Sequence, residues 1–481
     1  MVESSYETIV VGGGMSGMVC ALLQGRKGRR VAIVERSAHL SPTLWGFERS
    51  GTYFDTGFHY TGSAGADGLL GHLLDRLGLY DTLATALSTW DVFDHIRLQE
   101  PSCNVRLTRG WQAMEQGLSE SFPDERDGVR GFLGSVRSAW EQGCTAFKQD
   151  FGRSLGPLSV GDGGSLHEAV LACTDDPVLQ AVLSCHGLLY GTPARETSLR
   201  FHSLVVGSYY ESACAVRGGG RAWIKCFADA LGAAGVETRC GQEVVRLCLD
   251  ERGRCSGVEL DDGQCLAAAN CVCTVHPKAV LTLLPKGGFS PAFRRRIMGL
   301  EESFSAVVLF ARCRLNLRGN LILAGRAESL IGWQDLPIEE RPLFVSCPAD
   351  VDAGLGGVSV ICPATLADVP GGGDQGRGHR PQGYESWKGG VADRLSDRLS
   401  ACAGDLIEDL EILDVATPLT FRDWLNSPEG GIYATQHRRG DMPLLPQTRV
   451  PGLFLSGQAV VAPGVLGAMC AGFLTESCIP S

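Results

Sequence analysis

Thr8-Ile9-Val10-Val11-Gly12-Gly13-Gly14-Met15-Ser16-Gly17 stands near the N-terminus, and the apolar run from Val31 to Val34 follows it and closes directly on Glu35. The order predicts a buried strand, a glycine turn, a helix and a second strand ending in an acid. Each part suits a dinucleotide: Gly12 permits the tight turn, Gly14 lets backbone approach a pyrophosphate, and Gly17 lets the helix pack on the strand. The helix start offers unpaired N–H groups and the positive end of a dipole to phosphates. Glu35, 18 residues beyond Gly17, is placed to accept hydrogen bonds from a ribose hydroxyl. The competing reading is a glycine-rich turn without a ligand. The strand before, the helix after and the acid beyond favour the nucleotide.

Working outward, 481 residues exceed the usual size of one hydrophobic core, so two domains interleaved in sequence are expected. A formal charge of −11 argues against a nucleic-acid partner, which favours a basic face. It leaves room for a local basic patch that meets a membrane. The 19 cysteines are scattered and odd in number, with no C-x-x-C pair. Reduced thiols in a cytoplasmic protein are therefore expected, and a zinc or iron–sulfur site is not. Met1-Val2-Glu3 leads into no basic region before an apolar stretch, so no secretory signal is expected.

Phe454 to Leu474 carries no charge over 21 residues and imitates a membrane span. Gly457, Gly464, Gly467, Gly472 and Pro463 interrupt it, so a buried strand, turn and helix is the better expectation. Helical spacing is read from Leu69 to Leu87 and from Trp111 to Phe147. After Arg217-Gly218-Gly219-Gly220-Arg221 an amphipathic helix is predicted over 222–234, buried through Trp223, Phe227, Ala230 and Leu231. Short strands follow over 237–239, 243–250, 255–260 and 270–275, and later over 305–314 and 357–362. Val369 to Gly390 reads as a mobile Gly-rich loop.

Three stretches together resemble the flavoprotein family of phytoene desaturases, carotenoid isomerases and retinol saturases. They are the opening motif with FDTGFHYTG (54–62), then ATPLTFRDWLNSPEGGIY (416–433), then GLFLSGQAVVAPGVLGA (452–468). FDTGFHYTG is similar to the saturase branch in particular. The region Arg217 to Pro277 matches the family's helix, adenine-side strand and closing strand in order. The resemblance implies an α/β fold: a Rossmann-like (GR2-type) FAD-binding domain from 1–70, 205–285 and 445–481, and an α+β substrate domain from 71–204 and 286–444. It implies FAD held by Gly12, Gly14, Met15, Ser16, Gly17 and Glu35, with Arg36 nearby and Val244 against the adenine. Gly457, Gln458, Val465, Leu466, Gly467 and Ala468 are expected beside the ribityl chain and flavin ring. Two departures fall at these contacts: Ser41 and Pro42 replace the family's usual Gly-Gly pair, and Ala459 replaces an aspartate.

The implied activity is that of an FAD-dependent oxidoreductase on carbon–carbon double bonds of a hydrophobic polyene or isoprenoid-like substrate. Reduction is favoured over desaturation or isomerisation by the saturase-like segment. The partners expected are that substrate, an electron donor or acceptor the sequence does not name, and a membrane touched peripherally by the second domain. His59 and Tyr60 are the candidate proton donors. Against them stand a structural histidine and a core tyrosine with its hydroxyl satisfied. His437 is read either as facing the flavin or, by preference, as a surface residue beside Arg438 and Arg439; Arg422 either as an anchor for a polar substrate end or, by preference, as a salt-bridge partner of Asp423 or Glu429; and Cys470 as a core residue. The alternatives are a flavin amine oxidase-like enzyme, and a non-redox isomerase or lipid binder with an altered flavin site.

Overall fold

The computed structural model describes residues 5–149, 164–285, 287–349, 355–372 and 376–480. Strand β1 (Tyr6–Val11), helix α1 (Met15–Arg26) and strand β2 (Val31–Glu35) form the opening unit. Ile9 and Val10 are fully buried, as a strand covered on both faces requires. β1 sits in a seven-stranded sheet, parallel to β2 on one side and to Cys265–Cys273 on the other. Beyond β2 lies Glu237–Cys240. Beyond Cys265–Cys273 lie the antiparallel pair Cys255–Leu260 and Val244–Leu249, and the parallel closing strand Leu453–Leu455.

The chain's last helix, Gly464–Cys478, returns onto α1. The close approach needs Gly472, where a Cβ would stand 2.7 Å from the Ser16 carbonyl oxygen. Gln24 donates to Glu476 at 2.7 Å, and Lys27 pairs with the same carboxylate. The uncharged stretch over 454–474 is thus a strand, a turn and a helix. Among the described residues no helix is long and apolar enough to cross a membrane.

A second seven-stranded sheet runs Ile407–Ala416, Ser305–Leu315, Leu355–Ala364, Leu343–Ser346, Asn320–Arg326, Val92–Glu100, Cys103–Thr108. It is antiparallel except where Asn320–Arg326 runs parallel to Val92–Glu100. Helices Trp111–Ser121, Arg126–Gln149 and Leu199–Ser212 are joined in one apolar cluster with residues of Val92–Glu100 and Cys103–Thr108. FDTGFHYTG is held between two helices: Asp55 accepts from the N–H of Gly220, on helix Gly219–Ala233, at 2.7 Å, and Gly62 lies against the carbonyl of Ser208 on helix Leu199–Ser212.

Two local expectations are corrected. Helical spacing from Leu69 to Leu87 resolves into short helices Leu69–Arg76 and Tyr80–Ala84, and Leu87 already begins a strand paired with Cys214–Val216. The Gly-rich loop over 369–390 ends early, because a helix starts at Tyr384 (residues 373–375 lie outside the described residues). Val369 and Tyr384 bury against Leu419, and the Tyr384 hydroxyl shares a 2.8 Å hydrogen bond with Thr417, which anchors both ends of the segment.

Candidate functional site

At the carboxyl ends of the parallel strands, Gly12 takes φ of 101°, a conformation that favours glycine. At Gly17 a Cβ would stand 2.4 Å from the Gly12 carbonyl oxygen, so only glycine lets α1 start this close to the turn. The space in front of α1 is open: a Cβ built on Gly14 meets nothing within 4 Å. No side chain caps α1 and no acid stands in its first turn, so its N–H groups and dipole face that space uncompensated. Glu35 is buried, accepting from the Gly13 N–H at 2.7 Å and the Ser37 N–H at 2.8 Å. A carboxylate has about four acceptor positions, so Glu35 keeps capacity for ribose hydroxyls. Gln242 N–H donates to the Glu35 carbonyl and places the buried Val244 beside the same strand end.

The closing segment arrives at the same place. A Cβ on Gly457 would lie 3.7 Å from Ser16 Oγ. Gln458, Val465, Leu466 and Ala468 are half-buried and Gly467 is buried, around a helix start with no side-chain cap and no acid in its first turn. The opening turn and the chain's end therefore converge on one cradle, whose donor set suits a phosphate-bearing, electron-rich cofactor. Arg36 turns aside: its Nη2 donates to the Trp424 carbonyl at 2.8 Å, while its Nη1 is buried without a partner.

The loop with the unusual residues also folds over the cradle. Ser41 adopts the left-handed conformation (φ 43°) and donates its N–H to the Gly13 carbonyl at 2.9 Å. Pro42 occupies the first turn of a short helix, where a missing N–H costs nothing. Serine thus holds a backbone shape that glycine holds more easily, and proline leaves the path intact. Ala459 is buried.

Beside the closing helix lies an apolar crevice of about 50 Å³, lined among others by Thr61, Trp140, Phe201, Tyr209, Val465 and Leu466. A larger cavity of about 390 Å³ lies in the second domain, bounded by Thr192, Glu302, Phe304, Trp333 and Gln436. Neither is lined by His59 or Tyr60. His59 is half-buried with its ring 6.0 Å from that of Phe344, and burial pushes its imidazole down to about 4. The Tyr60 hydroxyl donates to Asp94 at 2.9 Å. That satisfies the hydroxyl in the core, the competing reading of this residue.

His437 corrects the surface reading. Its ring stacks on Phe201 at 4.6 Å and meets the Gln458 carbonyl at 3.0 Å, and burial pushes its imidazole down to about 4. Arg422 donates to Asp423 at 3.0 Å, and the Cys470 thiol is buried and raised by that burial. Burial also takes His202 to about 3, its Nδ1 2.9 Å from the Tyr190 hydroxyl.

These three depressed histidines set a pH dependence. Each binds its proton less well folded than in the unfolded chain, where the value is about 6.5. Their stabilising effect is complete above pH ~6.5 and is lost as pH falls toward 4. Near pH 5, unfolding is expected to take up about two to three protons on their account. Urea midpoints at pH 7 and pH 5 check this; equal midpoints would refute it.

The profile of the family "Flavin containing amine oxidoreductase" matches residues 15–368. This chain belongs to that family. Flavin is therefore the cofactor class for which the cradle is built. The chain is 23% identical to rat all-trans-retinol 13,14-reductase, over 99% of this chain and 86% of that protein. It is 24% identical to the chloroplastic prolycopene isomerase of Arabidopsis thaliana, over 98% and 82%. This member of the flavin oxidoreductases also shares its fold with an oxidoreductase from Methanosarcina mazei, at TM-score 0.68, 14% identity and 98% and 100% coverage. Wild-type putrescine oxidase bound to putrescine superposes at TM-score 0.62 and 16% identity, each chain covered to 99%.

Sequence reasoning missed the buried polar chain behind Tyr60. Asp94, fully buried, accepts from Tyr60, from His186 at 2.8 Å and from Asn320 at 3.0 Å, and His186 meets the Tyr210 hydroxyl at 3.2 Å. The available signal was a carboxylate inside the apolar setting of Trp90, Phe93 and Ile96.

Proposed function

We propose that the chain is an FAD-dependent oxidoreductase acting on carbon–carbon double bonds of a hydrophobic polyene, with reduction as the first assignment and isomerisation as the second. The observation that carries the reading is the convergence of two uncapped helix starts, α1 and Gly464–Cys478, on one cradle with an apolar crevice beside it. The full-length similarity to a retinol reductase and a prolycopene isomerase supports the substrate class. Among the described residues the crevice wall holds no acid to pair with an ammonium: beyond Trp140 and Phe201 it adds Phe147, Leu204 and Val205.

In this reading Gly12, Gly14, Met15, Ser16, Gly17 and Glu35 hold the adenosine diphosphate half, with Val244 at the adenine and Arg36 at its edge. Gly457, Gln458, Val465, Leu466, Gly467 and Ala468 border the flavin ring. Bound flavin supplies a hydride donor or acceptor at N5. The chain's part is to position the substrate, exclude water and hold a proton. We assign 1–70, 205–285 and 445–481 to the cofactor domain and the remainder to the substrate domain. Exposed Met298 and Met442 are the apolar residues through which the second domain would touch a lipid surface.

The test is direct. The purified protein is expected to be yellow, to release FAD on denaturation and to bleach with dithionite. Incubated with all-trans-retinol and dithionite, it is expected to give a product heavier by two hydrogens. Colourless protein that FAD does not reconstitute would sink the reading; a product of unchanged mass and altered geometry would select isomerisation.

A further inference from the structure

We propose that Tyr209 gives the proton to the substrate carbon, and that Tyr60, Asp94, His186 and Tyr210 form a buried chain that positions it. This rests on the reduction assigned above. Tyr209 lies on helix Leu199–Ser212 and lines the apolar crevice opposite Val465 and Leu466 of the closing helix. Among the described residues its hydroxyl has no hydrogen-bond partner, whereas that of Tyr60 is committed to Asp94. The two rings lie 4.7 Å apart. Tyr209 is thus the phenol next to the crevice with a free proton, and the Tyr60 ring, fixed by its bond to Asp94, packs against it.

The group behind Tyr60 holds that ring in place. Asp94 and His186 are 0% and 1% exposed, 2.8 Å apart, and Tyr210 meets the other imidazole nitrogen. With Nε2 donating to Asp94 and Nδ1 accepting from Tyr210, every polar atom of the chain is satisfied. Burial first, then the neighbouring Tyr433 and Asp94, raises the Tyr209 hydroxyl, so it stays protonated until a stronger base forms beside it. Flavin chemistry on a double bond creates that need.

The balance is simple. The π bond breaks; a hydride from reduced flavin forms one C–H bond, and the Tyr209 Oη proton forms the other on the adjacent carbon. The phenolate left on Tyr209 regains its proton from solvent once the product leaves the crevice. The two electrons are replaced by an external two-electron reductant, dithionite in the assay. Tyr209 is the catalytic residue; Tyr60, Asp94, His186 and Tyr210 are positioning residues.

The experiment compares wild type, Tyr209→Phe and Tyr60→Phe as flavin-loaded proteins, with all-trans-retinol and dithionite in D₂O. Wild type is expected to place one deuterium on each of the two adjacent carbons, because flavin reduced by dithionite takes its N5 hydrogen from solvent, and to place the one delivered by Tyr209 on a single face. Tyr209→Phe is expected to be at least about 100-fold slower, with deuterium on both faces, and to keep its flavin and its bleaching by dithionite. The Tyr209 hydroxyl has no hydrogen bond to lose, so this substitution removes an acid and little else. Tyr60→Phe is expected to lower kcat about tenfold with KM and the deuterated face unchanged. Tyr209→Phe with wild-type rate and stereochemistry would overturn the donor, and Tyr60→Phe with wild-type kcat would overturn the chain behind it. A wild type that leaves the mass of retinol unchanged would overturn reduction itself, and the donor with it.

Discussion

Gly17→Val is expected to yield protein without flavin, however much is added. A Cβ at this position would stand 2.4 Å from the Gly12 carbonyl oxygen, 3.0 Å from the Val10 side chain and 3.3 Å from that of Thr274. The nearest of these is backbone of the turn itself and cannot swing away. To make room, the start of α1 must move off β1. That movement carries the N–H groups of Met15, Ser16 and Gly17 away from the phosphates they are placed to meet. Overpacking of this kind costs about 1–3 kcal/mol even where the neighbours yield, and the cradle fails before the fold does. The check is the flavin-to-protein ratio after reconstitution, read beside far-ultraviolet circular dichroism. A folded Gly17→Val protein carrying a full complement of flavin would refute the account. Valine at Gly14, where a Cβ meets nothing within 4 Å, isolates the second effect, because it fills the phosphate space without touching the turn.

This contrast between neighbouring glycines explains what could be read from the sequence and what could not. Gly12, Gly17 and Glu35 act within one strand–turn–helix–strand unit, so their spacing along the chain states their geometry. The helix Gly219–Ala233 was legible for the same reason: Trp223, Phe227 and Leu231 share a face, and all are buried. The uncharged closing segment was separated from a membrane span by its glycines, and Gly472 proves to be where two helices touch. Other features depend on partners distant in sequence. His437 looks exposed beside two arginines, yet Phe201, 236 positions earlier, stacks on its ring and the Gln458 carbonyl, 21 positions later, meets its nitrogen. The segment after Val369 looks too rich in glycine to order itself, until Leu419 supplies the missing apolar wall. Tyr60 was legible as a residue of the motif but not by its hydrogen-bond partner, because Asp94, 34 positions on, lies on a strand of the second sheet and meets it only through tertiary packing.

Asp94→Ala is expected to cost about 3–5 kcal/mol, the effect of removing one member of a buried charged network. The strand Val92–Glu100 slips its ladder register between Val92 and Asp94, an irregularity of the kind that re-aims a side chain. Asp94 also stands directly opposite Asn320 in the neighbouring strand. Its carboxylate gathers the Tyr60 hydroxyl, the His186 ring N–H and the Asn320 amide at 2.9, 2.8 and 3.0 Å. Alanine leaves the Tyr60 hydroxyl and the His186 ring N–H inside the protein with nothing to receive them, and the Asn320 amide with only its 3.4 Å bond to the Phe93 carbonyl. Each orphaned group carries a penalty of about 1–3 kcal/mol, partly relieved where the vacated volume admits water. Tyr60→Phe is the informative contrast: the carboxylate keeps two of its three donors, and the expected loss is only about 1 kcal/mol. Against a total stability of about 5–15 kcal/mol, the first change removes a large part of the margin and the second does not. Urea unfolding of the flavin-loaded proteins at pH 7 measures both. If Asp94→Ala unfolds within about 1 kcal/mol of wild type, the carboxylate is not the hub of the chain, and neither the packing around Tyr60 nor its link to Tyr209 stands as described.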